Sequence, residues 1–189
     1  MDWRTEILEI ESHLDLRKKM NWNSSILSIK RIIEQNSNDM DMYIRAIYIT
    51  HHILLEEDAT NCERNKLEPL LKKTFDKSYN MFCENAEYLF FIGKILHIAE
   101  WYFGLNDEKL AVSMQKKAMD KEPCNLLYEW AYRLSCENDI VADFLASKII
   151  DYENDKVNWL KSKGFAGNYI LEHLQMSKDK YDSVSNSTL

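Results

Sequence analysis

Apolar residues recur along this chain at intervals of three and four, the spacing of one helix face. Trp3, Ile7, Ile10 and Leu14 form the first such stripe. With Asp2 in front as a cap, they predict a helix over 3–18. Ile26, Ile29 and Ile33 predict a second over 24–35. Asn36-Ser37-Asn38-Asp39 ends it, because such short polar side chains compete for backbone hydrogen bonds. A third helix follows at 40–57, with Tyr43, Ile47, Ile53 and Leu54 on its face. The fourth spans 63–82, and Pro69 near its beginning makes Glu68 an alternative start.

Residues 86–103 are apolar on most faces, which predicts the central, most buried helix. Gly104 supplies its C-terminal cap. Helices are then expected at 107–121, 125–137 and 139–152, with a short one around Val157 and Trp159. Gly164 and Gly167 break the chain before a last helix at 167–177. Residues 178–189 are polar and serine-rich, and read as a disordered tail. The β-branched stretch 43–49 keeps its helical spacing into His51-His52-Ile53-Leu54, so it is no strand. The expected fold is all-α, with about nine or ten helices in one domain over 1–177. Helical hairpins would form either a compact bundle or a short tetratricopeptide-like array.

Composition supports this. The chain of 189 residues has only four Gly and two Pro, too few for the tight turns of a sheet protein. Aromatics reach 12%, which a disordered chain lacks. No apolar run approaches the ~20 residues that cross a bilayer. The N-terminal stretch carries acids throughout and lacks a signal-peptide core, so a cytoplasmic protein is expected. Four cysteines without a CxxC pair read as free thiols. The net charge of −7 is spread over both halves. With no basic footprint, direct nucleic-acid binding is not expected.

Catalytic signatures are scarce. The four glycines are isolated, so no phosphate loop is present, and no nucleophile elbow occurs. A helical di-metal site needs Glu-x-x-His elements; this chain has only a reversed His97-x-x-Glu100. His52 and Glu56 share a helix face, but two ligands do not make a metal site. No cofactor is therefore expected. Were the chain an enzyme, His97, Glu100 and His52 would be the place to look.

From Ile92 to Asn125 the chain resembles a tetratricopeptide repeat, two antiparallel helices in roughly 34 residues. Ala99, Tyr102, Ala111, Ala118 and Pro123 occupy its positions. Ile95 and Gln115 depart from it, and the pattern does not recur cleanly at Glu129 and Arg133. Residues 80–135 also resemble a helical family of bacterial immunity proteins, encoded beside the toxic C-terminal domains of contact-dependent growth inhibition and related polymorphic toxin systems. Ile92-Gly93, Trp101-Tyr102-Phe103-Gly104, Asp107 and Pro123-x-Asn125 carry that resemblance. It implies a non-enzymatic cytoplasmic inhibitor that occludes a basic toxin domain, such as a nuclease. The alternative is a helical-repeat adaptor. In either case acids and aromatics at helix ends are the expected contacts: Glu56, Glu57, Asp58, Asp151, Tyr152, Glu153 and Asp155, with Trp101 and Trp159.

Overall fold

The computed structural model describes residues 2–14 and 20–186. Among them are ten α-helices and no strand: α1 (Trp3–Glu11), α2 (Asn23–Gln35), α3 (Met40–Leu55), α4 (Asn61–Phe82), α5 (Ala86–Ala99), α6 (Lys109–Lys121), α7 (Leu126–Ser135), α8 (Asp139–Tyr152), α9 (Asn154–Ser162) and α10 (Gly164–Asn186). A 3-10 turn, Glu100–Phe103, follows α5. The chain divides into two compact units. Unit 1 holds residues 1–83 and 101–106; unit 2 holds 84–100 and 107–189.

In unit 1, α3 is buried on every face from Met42 to Leu54, and α1, α2 and α4 pack around it. Arg45 sits in this core with its guanidinium on the Glu11 carboxylate, Nε to Oε1 at 2.8 Å. At the C-terminal end of α3, the Leu54 carbonyl accepts from Arg64 Nη1 at 2.8 Å and from the Tyr102 hydroxyl at 3.2 Å. Such acceptors satisfy a group that helix geometry leaves unpaired. The start of α4 is set by a capping box, in which the Thr60 hydroxyl accepts from Glu63 N–H and Glu63 accepts from Thr60 N–H. The other Glu63 oxygen accepts from Trp22 N–H at 2.6 Å, tying α2 to α4. Burial pushes this carboxyl's pKa up, but the hydrogen bonds from Thr60 and Trp22 outweigh it and hold the pKa below the usual value. The helix thus begins at Asn61, ahead of the expected 63 or 68, and Pro69 lies inside it. Pro69 and Asn65, whose carbonyl loses its helical donor, are both exposed to water.

In unit 2, consecutive helices stack: α5 on α6, α6 on α7, α7 on α8, with α10 covering α8 and α9. The expected burial of the fifth helix holds from Tyr88 to Leu96. Gly93 lets α5 approach α6 closely; a β-carbon there would stand 3.1 Å from Met114 Cβ and 3.2 Å from the Ala111 carbonyl oxygen. Ala99, Ala111 and Ala118, the small positions of the repeat-like hairpin, are all buried. Gln115 is buried too, and its amide donates to the Phe90 carbonyl at 3.0 Å.

α7 ends in a Schellman motif: Asn138 N–H reaches Arg133 O at 3.0 Å and Glu137 N–H reaches Leu134 O at 3.2 Å. This motif needs a left-handed residue, and Glu137 takes that role with φ 54°. Its side chain strains that conformation. Glu137→Gly should therefore raise stability by about 0.5–1 kcal/mol, the strain relief being partly offset by a freer unfolded chain. Urea unfolding of the two proteins measures it, and a loss of stability would refute the strain.

Two C-terminal expectations need correction. Gly167 does not break the chain but lies within α10. Residues 178–186, expected as tail, continue that helix. Tyr181 packs on Phe144, and Lys178 bridges Asp151 and Asp182. These tertiary contacts order a segment whose composition alone favours disorder.

Candidate protein-binding surface

α8 carries two different faces. Ala142, Leu145, Ala146 and Ile149 point into unit 2. Ile140, Phe144, Lys148 and Tyr152, spaced by four, form the outer stripe. Ile140 is 86% exposed and Tyr152 73%. The Lys148 ammonium lies 5.4 Å from the Phe144 ring centre and 5.1 Å from that of Tyr152, holding the stripe together through its cation. Tyr181 of α10 meets Phe144 edge-on at 5.8 Å. The pairs Phe144–Tyr181 and Asp151–Lys178 show that α8 and α10 run antiparallel. That register carries the exposed Val184 toward the level of Ile140.

The sequence of α8 and its flanks is acidic. Between 137 and 155 stand Glu137, Asp139, Asp143, Asp151, Glu153 and Asp155 against the single Lys148. Lys178 contacts Asp151 at 3.2 Å and Asp182 at 2.8 Å, and those partners raise its pKa.

A cleft of about 360 Å³ lies elsewhere in unit 2, between the start of α5, the α6–α7 corner and α9. Glu87, Glu122, Tyr128, Asp155, Lys156 and Trp159 line it. The Tyr128 ring packs on Phe90 at 5.0 Å, and only 3% of the residue is exposed. No group among the described residues hydrogen-bonds to its hydroxyl. Burial, with the charges of Glu122 and Glu87 adding to it, pushes the phenol pKa up. Asn125 Nδ2 donates to Glu122 at 3.0 Å. Lys163 pairs with Glu87 at 2.5 Å and lies 5.4 Å over the Trp159 ring. Trp159 is half-buried, with Phe91 5.6 Å away on its inner side.

The expected contact residues divide accordingly. Tyr152 belongs to the α8 stripe and Asp151 to its rim; Glu153 caps the end of α8. Asp155 and Trp159 line the cleft. Glu56, Glu57, Asp58 and Trp101 belong to unit 1. Glu56 and Asp58 are exposed, while Glu57 lies 3.8 Å from His52 Nε2. Trp101 is 57% exposed beside Tyr102. The spacing of four along α8 could have revealed Ile140 and Phe144. Nothing local marks Tyr128, Glu87 or Glu122 as neighbours.

Two histidines are held by neighbouring side chains. His97 Nδ1 meets Glu108 at 3.0 Å rather than Glu100. His51 is buried against Phe103, 5.9 Å between ring centres, and burial lowers its pKa to about 4. Among the described residues no three His, Cys, Asp or Glu side chains gather as a metal ion requires, and no helix is long and apolar enough to cross a membrane. Compared with protein families, curated proteins and solved structures, the chain matches none.

Proposed function

We propose that this chain is an immunity protein that binds and neutralises a basic toxin domain in the cytoplasm. The observation that carries the proposal is the α8–α10 stripe: exposed aromatic and aliphatic side chains set within a dense run of acids. Aromatic anchors ringed by charge are the composition of interface hot spots. The acids would steer a basic partner electrostatically, and the stripe would hold it once docked. Neutralisation would follow from covering the toxin's active site or an adjacent surface.

The test is co-expression with the product of the neighbouring toxin gene, scored as growth rescue and co-purification. Tyr152→Ala should weaken the complex by about 2 kcal/mol, mainly through faster dissociation. Reversing Asp151, Glu153 and Asp155 to lysine should instead slow association and flatten its salt dependence. Absence of a toxin gene beside this one, or rescue untouched by both variants, refutes the proposal.

The stacking of α5 to α8 favours a second reading, a helical-repeat adaptor that binds an extended peptide. An adaptor would bind without abolishing its partner's activity, which the rescue assay separates.

A further inference from the structure

We infer that the cleft at Tyr128 and Trp159 is an arginine-binding pocket, built to receive one guanidinium side chain from a basic protein partner. The inference deepens the proposed function and rests on it for the identity of the partner.

Charge comes first. Glu87, Glu122 and Asp155 bring three negative charges, and Lys156 and the Glu87-bound Lys163 bring two positive ones. One negative charge is left over, the complement of a single monovalent cation. Hydrogen bonding comes next. Tyr128 is almost wholly buried, yet its hydroxyl finds no partner among the described residues and reaches the cleft between Glu87 and Glu122. The ring is held fixed by burial while the oxygen stays free to accept from a ligand in the cleft. A donor-rich ligand would satisfy it. Guanidinium has five N–H donors and no acceptor, and so matches carboxylates together with a phenol oxygen.

Shape supplies the third argument. Trp159 lines the same cleft with Lys163 over its ring, so a guanidinium that stacks there takes the place of that ammonium. A planar guanidinium stacks on such a surface better than an ammonium does. The volume of about 360 Å³ accommodates a side chain.

The experiment uses the full chain, isotopically labelled. The Trp159 indole N–H resonance is assigned with Trp159→Phe. N-acetyl-arginine methylamide is then titrated, with the citrulline compound as its neutral isostere and the lysine compound as the alternative cation. The arginine probe should shift the resonance saturably, with a dissociation constant on the order of 1 mM, and citrulline should not. Tyr128→Phe and Glu122→Gln should each weaken arginine by about tenfold while the remaining amide spectrum stays native. Equal response to citrulline overturns the inference, as does a stronger response to lysine, or a native-like Tyr128→Phe that binds arginine unchanged. Failure here and failure of the immunity reading are distinguishable. Arginine binding without toxin rescue refutes only the immunity reading. Rescue by a protein whose cleft ignores arginine refutes only the pocket.

Discussion

Lys94→Met should stabilise the protein by about 2–3 kcal/mol at pH 7. Lys94 lies on α5 with 2% of its surface exposed. It has no carboxylate partner among the described residues; its ammonium lies 5.0 Å from the centre of the Trp130 ring. Burial pushes its pKa down to about 8. The folded protein therefore holds the proton less tightly than the unfolded chain, where lysine titrates near 10.4. Below pH 8 the folded state carries a desolvated charge and bears the full penalty. Between pH 8 and 10.5 the unfolded state binds more protons, so stability rises with pH. Methionine fills a similar volume without a charge and tolerates an irregular site.

Urea unfolding at pH 7, 9 and 10.5 measures the effect as a difference between the two proteins. Taking the difference cancels tyrosine and cysteine titrations common to both. The gap should be widest at pH 7 and close toward pH 10.5. His173, whose pKa burial lowers to about 4 with help from Lys94, stays neutral throughout this range. A gap of constant size would mean that packing, not charge, distinguishes the variants.

Gly167→Ala should destabilise unit 2 by at least about 3 kcal/mol, the upper end of what overpacking costs. In an ordinary helix the same change gains nearly 1 kcal/mol from propensity. Here a β-carbon would stand 1.7 Å from the Leu160 carbonyl oxygen and 2.6 Å from its carbon. Both are backbone atoms at the end of α9, so no side-chain rotation relieves the clash. Lys163 Cβ, 3.0 Å away, closes the other side. Gly164, with φ 62°, makes the reversal between α9 and α10 that brings these atoms together. Hydrogen exchange should speed up across 154–186 in the variant. Stability equal to that of the native protein would show that the two helices can part without loss.

Most helices were legible from local pattern. The isoleucine stripe of α2 and the nearly all-apolar α5 fall within a residue or a few of their expected limits. The acidic run at 151–155 likewise stands at a helix end as expected, with Tyr152 exposed. The α8 stripe was harder to read because that helix is apolar on both faces. Periodicity cannot distinguish the side that meets α10 and the core from the side left in water. Tyr128 was illegible for a different reason. Its separation from Glu87 and Trp159 along the chain hides a proximity that exists only once α5, α7 and α9 have packed.

Helicity is legible in each segment alone, because apolar spacing and polar corners are local properties. Packing between distant segments sets the rest. The division into two units depends on which apolar faces find each other, with α3 central to one core and α5 buried in the other. The helicity of 178–186 depends on Tyr181 and Lys178 meeting α8. The exposed α8 stripe and the cleft at Tyr128 depend on which side chains remain uncovered after every other face has been buried, and no segment carries that information alone.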